Sequence, residues 1–404
     1  MKNDYSSYIS ETARELKPSG IRKFFDLAAG MKDVISLGVG EPDFITPWNI
    51  REAAILSLEQ GYTAYTANPG LIELRQEIAN YLGTRFGVNY EPKSQIIVTI
   101  GASQGIDLAF RTILNQGDEV LIVEPAFVSY APLVSVAGGK PVAISTSPEN
   151  GFKLTPEQLE NAITEKTKAI LLCFPNNPTG TSLNKKELEE IAQIIKMHDL
   201  LVVSDEIYAE LSYDDTHTSF AAIEGMYERT ILINGFSKGF AMTGWRLGFL
   251  AAPQPFVEVM LKLFQYTTMC APTMLQHGAI EALRNSFHEV EKMKRSYRRR
   301  RNFMVQTLNM IGLDCHNPGG AFYVFPSIKA TGLTSEQFTE ELLMQEKVAV
   351  VPGNVFGQSG EGYVRCSYAT SMMQLQEALK RIERFIQSKG ISNKSVSEHV
   401  KVEY

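Results

Sequence analysis

The chain has no apolar run long enough to cross a membrane, and its opening residues, Met1-Lys-Asn-Asp-Tyr-Ser-Ser-Tyr8, lack the apolar stretch of a secretion signal. Both absences lead us to expect a soluble, cytoplasmic protein. Cysteine is scarce: Cys173, Cys270, Cys315 and Cys366 are the four, with no close metal-ligand spacing among them. So few thiols in 404 residues exclude a disulfide framework, and Cys173 and Cys366, each within an apolar strand pattern, read as buried free thiols. The histidines are isolated; His198, His217, His288 and His316 suggest no metal cluster. An excess of positive charge is also missing. The formal net charge of -6 argues against a nucleic-acid partner. The single basic run, 298–301, falls on a helical pattern and reads as a solvated face. There is no dinucleotide fingerprint, no lysine-containing nucleotide loop, no internal repeat and no low-complexity linker.

What is present is alternation. Short β-rich apolar runs occur at 96–100, 118–123, 141–144, 168–173, 200–203, 230–233 and 247–250, with helical patterns between them, notably at 185–197. Strands alternating with helices predict an α/β layer with a mostly parallel sheet, whose ligands bind beyond the carboxyl ends of the strands. A long helix is expected at 286–310. Strand signals return at 321–325, 348–351 and 363–367, and a last helix runs over 373–388. This second pattern is α+β. At 404 residues the chain exceeds the usual size of one core, so two domains are expected. Residues 390–404 are polar and read as a loose tail.

The unusual residues cluster where the strand signals end. Lys238 lies in Asn234-Gly-Phe-Ser-Lys-Gly-Phe-Ala-Met-Thr-Gly-Trp-Arg-Leu-Gly-Phe249, just after an apolar run. A lone lysine is usually a solvated surface group. A lysine on a turn after a core strand can also form a Schiff base with an aldehyde cofactor. Gly101-Ala-Ser-Gln-Gly105 starts a helix whose amides, with the Ser103 hydroxyl, can hold a phosphate, or is simply a small-residue helix start. In Pro125-Ala-Phe-Val-Ser-Tyr130, Phe127 either packs or stacks on a flat ring. In Asn176-Asn-Pro-Thr-Gly180, Asn177 offers a donor and an acceptor to a cofactor hydroxyl, or the segment is an ordinary tight loop. Ser204-Asp-Glu-Ile-Tyr208 places Asp205 where a carboxylate can hold a proton on a pyridine nitrogen, with Tyr208 near the ring oxygen; the competing reading is a helix cap or a solvated acid. Glu206 reads as structural and Trp245 as a packing or hinge residue. Arg365, in Gly362-Tyr-Val-Arg-Cys-Ser-Tyr368, is either a solvated edge residue or a bidentate carboxylate grip.

In combination these motifs resemble the fold-type I, pyridoxal-phosphate-dependent aminotransferases of the class-I/II group. The resemblance runs from about Ser19 to Gln387 and includes Ser36-Leu-Gly-Val-Gly-Glu-Pro-Asp-Phe44, Tyr65-Thr-Ala-Asn-Pro-Gly70, Gly319-Gly-Ala-Phe-Tyr323 and Val351-Pro-Gly-Asn354. It implies an α/β fold with a mostly parallel seven-stranded sheet and a smaller α+β domain. It implies a large domain at 46–285, a small domain at 286–389 joined by the N-terminal segment 1–45, and a tail at 390–404. Lys238 would carry the cofactor and shuttle the proton. Asp205 would meet the pyridine nitrogen, Asn177 and Tyr208 the ring oxygen, and Phe127 the ring face. Ala102, Ser103, Ser237 and Arg246 would hold the phosphate. Tyr65 would reach the partner subunit's phosphate in an obligate homodimer with shared active sites. Gly40, Asn177 and Arg365 would orient the substrate carboxylate. The branch most resembled, the aromatic or broad-specificity enzymes, implies transfer from a neutral L-amino acid, aromatic ones included, to 2-oxoglutarate, giving a 2-oxo acid and glutamate. Alanine, aspartate and acetyl-diaminopimelate aminotransferases are alternatives, as is a β-lyase on the same cofactor. One departure is Gly235, where some members of the family have a serine available to the phosphate.

Overall fold

The computed structural model describes residues 5, 8–18, 20–21 and 30–391. β1 (Ile35–Ser36) comes first. The main sheet follows as β2 (Ile96–Thr99), β3 (Glu119–Glu124), β4 (Lys140–Ser145), β5 (Thr167–Cys173), β6 (Leu201–Asp205), β7 (Thr230–Gly235) and β8 (Gly248–Ala251). Its seven strands lie in the order β2-β8-β7-β6-β5-β3-β4. β8 is antiparallel to both neighbours and the other pairings are parallel. Most β-rich runs of the sequence become these strands because they are apolar on both sides, as a doubly covered parallel sheet requires; the edge strand β4, in which only Ile144 is buried, is the exception. In β5, Ala169, Leu171 and Cys173 enter one core layer while Ile170 and Leu172 enter the opposite one.

Helices Gly101–Ile113 and Gln254–Thr267 pack the first layer. The other face is covered by helix Lys185–Met197 at one end and by helices Ile72–Phe86 and Thr273–Asn285 at the other. Helix Lys185–Met197 shows how local sequence sets an element. Asn184 and Glu187 form a reciprocal capping box, and Leu188, Ile191, Ala192 and Ile195 make a single buried stripe.

A second core is built around β9 (Tyr323–Val324), β10 (Val348–Ala349), β11 (Val351–Pro352) and β12 (Val364–Ser367). The antiparallel order β11-β12-β9 makes one small sheet. β10 instead pairs parallel with β1, Ile35 opposite Val348, so the N-terminal segment is stitched to the C-terminal third. The single strand expected at 348–351 is therefore two strands that serve different sheets. Helices Phe287–Met310, Ser335–Glu346 and Met372–Ser388 complete this core. Ile391 packs against it; the remainder of the expected polar tail, 392–404, lies outside the described residues.

The basic run is a correction. Arg300 and Arg301 are 8% and 3% exposed rather than on a solvated face. Arg300 meets Asp43 at 2.7 Å, and Arg301 pairs with Asp214 and donates to the Pro318 carbonyl at 2.9 Å. Successive helical residues turn by about 100°, so four in a row cannot share one face. Arg298 and Arg299 stay exposed while the next two turn inward onto carboxylates. Cys173, Cys315 and Cys366 are buried free thiols. Among the described residues no helix is long and apolar enough to cross a membrane, and no group of three or more metal-ligating side chains is gathered.

Candidate active site

A cavity of about 590 Å³ opens beyond the carboxyl ends of the main sheet and is closed on its far side by Arg365 of β12 and Tyr323 of β9. Five of the strand ends deliver parts of the lining. Ala102 and Ser103 follow β2, Phe127 follows β3, and Asn177 follows β5. Asp205 ends β6 and Tyr208 lies just beyond it. Ser237, Lys238 and Arg246 lie on the 236–247 loop, which leaves β7 and returns antiparallel in β8. Gly40 comes from the N-terminal segment after β1.

Lys238 is largely enclosed, and its Nζ donates to the Gly40 carbonyl at 2.6 Å. Burial pushes its amine down to about 8, helped by Arg365 and Arg246 and opposed by Glu41 and Asp205. Roughly a tenth of the amine is thus neutral at pH 7, far more than for an ordinary lysine, and the neutral form is the nucleophile. Gly235, the departure noted above, fits its own surroundings. A Cβ there would lie 2.9 Å from the Gly248 Cα across the β7–β8 pairing.

Asp205 is 4% exposed. The Tyr130 hydroxyl donates to one carboxylate oxygen at 2.7 Å and the Ile207 amide to the other at 3.2 Å. Burial dominates these two donors, and the carboxyl is pushed up to about 6. The group is short of positive charge and would gain from a cationic partner in the cavity.

Arg365, 3% exposed, is not an edge residue. It occupies β12, the middle strand of its sheet. Its Nη1 donates to Asn177 Oδ1 at 2.8 Å and its Nη2 to the Gly38 carbonyl at 2.7 Å. Its Nε is buried and, among the described residues, has no hydrogen-bond partner. At another part of the cavity, helix Gly101–Ile113 begins without a side-chain cap. Its open start, the Ser103 and Ser237 hydroxyls and the Arg246 guanidinium, which lies against Gly101, make an anion site.

The structure thus gathers eleven of the twelve residues singled out in the sequence. Tyr65 is the exception: it is 80% exposed and does not line this cavity. Sequence reasoning missed Tyr130 and Tyr323. Each closes a motif that was singled out, 125–130 and 319–323, but a tyrosine in an apolar segment reads as packing until its hydroxyl partner is known. Glu206 turns to the other side of the sheet, into a separate polar cavity of about 270 Å³ with Ser204 and His217.

Comparisons with known proteins identify the family. Residues 32–382 match the family model described as aminotransferase class I and II. The chain is 64% identical over 381 residues to YugH of Bacillus subtilis (strain 168), whose name assigns it provisionally to the aminotransferases; the match covers 94% of this chain and 99% of that one. It is 52% identical over 380 residues to an aspartate aminotransferase of Pyrococcus abyssi, covering 93% and 98%. Among solved structures, the aromatic aminotransferase of Pyrococcus horikoshii OT3 superposes with a TM-score of 0.88 at 48% identity, covering 92% of this chain and all of that one. With a fold-type I architecture, a matching family model over most of its length and relatives similar from end to end, the chain belongs to the class I and II aminotransferases.

Proposed function

We propose that the chain uses pyridoxal 5'-phosphate to move the amino group of a neutral L-amino acid, aromatic donors included, to 2-oxoglutarate. The observation that carries this reading is the convergence of Lys238, Asp205 and Arg365 on one cavity. The residues present fit the cofactor. The uncapped helix start with Ser103, Ser237 and Arg246 suits a phosphate, and the under-served carboxylate of Asp205 suits a protonated ring nitrogen. When bound, the cofactor supplies an aldehyde that accepts the amino group and a ring that takes up electrons. Ala102 would offer its backbone amide to the phosphate. Asp205 would keep a proton on the ring nitrogen, Asn177 and Tyr208 would hold the ring oxygen, and Phe127 would cover a ring face. Lys238 would serve as covalent partner and, once released, carry the α-proton at Nζ, a role suited to an amine near 8. Arg365 would meet the substrate carboxylate with its guanidinium, with Gly40 and Asn177 beside it.

Among the described residues three cations line the cavity, Lys238, Arg246 and Arg365, and the proposed chemistry engages all three. A short acidic donor would bring a second carboxylate with no fourth cation to meet it among the described residues. Ile21, Val39 and Phe127 instead offer apolar surface to a neutral side chain. The acceptor's second carboxylate has to be served by water at the cavity mouth or by a second copy of the chain. We include that copy in the proposal: a homodimer with shared sites, in which Tyr65 reaches across. Its support is the exposure of Tyr65 together with Ile45 at 78%, Trp48 at 57% and Tyr266 at 87%. We likewise read 46–285 as a large domain carrying the cofactor and 286–389, with the N-terminal segment, as a small one. The separate sheets and the β1–β10 pairing support this division.

The test is glutamate formation by the purified, cofactor-loaded protein from 2-oxoglutarate and phenylalanine, tyrosine, alanine or aspartate. We expect the aromatic donors to lead. Alanine or aspartate ahead of both by about tenfold, ~1.4 kcal/mol in transition-state stabilisation, would overturn the donor preference. No glutamate from any donor would overturn the acceptor. Pyruvate and thiol release from cystathionine would replace transfer by β-elimination. An active monomer in analytical ultracentrifugation would overturn the shared site.

A further inference from the structure

We infer that Tyr323 is a positioning residue for the transfer reaction. It directs the Tyr208 hydroxyl toward the cofactor's ring oxygen and gives the Arg365 guanidinium a flat surface to lie on. The inference rests on the reading of the cavity as a pyridoxal phosphate site. Tyr323 is 1% exposed on β9, fixed opposite Ser367 of β12. Its hydroxyl lies 2.9 Å from that of Tyr208. The same hydroxyl stands against the N-terminal segment, where a Cβ on Gly40 would come within 2.7 Å of it. Any side chain at position 40 would push it away. On its ring face, the Arg365 guanidinium carbon sits 4.4 Å from the centroid. One phenol thus touches the three groups assigned to ring oxygen and carboxylate: Tyr208, Gly40 and Arg365.

A phenylalanine would fill nearly the same space, so packing does not explain the hydroxyl. A buried phenol needs a partner, and Tyr208 is the one this hydroxyl has among the described residues. Either hydroxyl can donate when the two are alone. Once Tyr208 gives its proton to the ring oxygen, its own oxygen is free to accept, and Tyr323 becomes the donor. The chain then runs in one direction, Tyr323 to Tyr208 to ring oxygen. A hydroxyl that accepts while it donates is the stronger donor. Tyr323 therefore strengthens a contact it does not make.

The test titrates the visible absorption band of the loaded protein against pH. A donor on the ring oxygen favours the deprotonated form, in which that oxygen carries its full charge, so weakening the donor raises the midpoint. Tyr208→Phe should raise it by about one unit or more, the scale of a hydrogen bond to a charged group. Tyr323→Phe should raise it by a few tenths of a unit, roughly the cooperative share of that bond. The double variant should move no further than Tyr208→Phe, because the Tyr323 effect acts only through Tyr208. Tyr323→Phe should lower kcat by roughly threefold and leave the amino-acid KM within about twofold. Tyr323→Leu, which also removes the surface under Arg365, should raise that KM by roughly fivefold or more. A midpoint unmoved by Tyr323→Phe, or a full additive shift in the double variant, overturns the inference alone. A protein that takes up no cofactor and shows no band overturns the reading of the site and the inference with it.

Discussion

Asp205 and Glu206 are adjacent acids, 4% and 2% exposed, on opposite faces of the end of β6. Glu206 has four polar partners. Ser204 and Ser219 donate to it at 2.9 Å, the Phe220 amide at 3.1 Å, and His217 Nε2 lies 3.0 Å away. Asp205 has two donors, and burial outweighs them. A carboxylate with four polar partners ties loops to a sheet. One held short of donors keeps an appetite for a cation and faces a cavity where one can bind. Depth of burial alone does not separate the two; the supply of donors does.

If this contrast is right, substitutions on the Asp205 face strike turnover and those on the Glu206 face strike stability. The largest effect is expected for Lys238→Ala, which removes the covalent partner and the mobile base together. Turnover should fall by at least ~10²–10⁴-fold, read as glutamate formation, with the melting temperature of the cofactor-free protein nearly unchanged. Asp205→Asn comes next, at about 10²–10³-fold, the scale of one preorganised electrostatic partner.

The same residue gives a pH prediction. Its carboxyl titrates at about 6 when folded, against an ordinary 3.8, so the folded state binds the proton more tightly than the unfolded state. This contribution to the stability of the cofactor-free protein is complete below an ordinary carboxylate's pKa and is lost as pH rises through about 6. Its size is on the order of 3 kcal/mol. Asp205→Asn should flatten the stability curve across that window, measured by denaturant melts at stepped pH.

Glu206→Gln sharpens the contrast from the other face. It strands donors that the carboxylate now satisfies and should cost about 1–3 kcal/mol in unfolding free energy, while kcat well below the melting temperature stays within about twofold. Turnover lost without any loss of stability would dissolve the distinction between the two acids. The smallest effect belongs to Tyr130→Phe. Losing one of two donors should move the Asp205 window to higher pH by about one unit. A window that stays in place would mean that the Tyr130 hydroxyl does not govern this carboxyl.

Much of this was legible in the sequence because burial on both faces leaves a strong local signal. Runs such as 168–173 and 200–203 need no partner to be recognised, and each lies within two residues of an observed strand boundary. The site motifs were legible for a related reason: small residues and turn formers at strand ends mark places of close approach. What stayed hidden depends on partners distant in the chain. Arg300 finds Asp43 across 257 positions and Arg301 finds Asp214 across 87. No local pattern announces that a charged run will turn inward. Tyr130 and Tyr323 failed in the same way, since their hydroxyl partners lie 75 and 115 residues off. The division of 348–351 also escaped notice, because Val350 is apolar like its neighbours and only the identity of the adjoining strands separates β10 from β11.

The antiparallel course of β8 has a practical consequence for anyone who wishes to rebuild the chemistry. Parallel neighbours must be joined by a crossover, whereas the 236–247 interval departs from and returns to adjacent strands at the same rim, with Gly235 opposite Gly248. Lys238, Ser237 and Arg246 therefore travel on one short cassette with both ends clamped. A transplanted interval of equal length could be exchanged there without rerouting the chain, and the two glycines at its base would have to travel with it, because a side chain at position 235 would meet backbone at 2.9 Å.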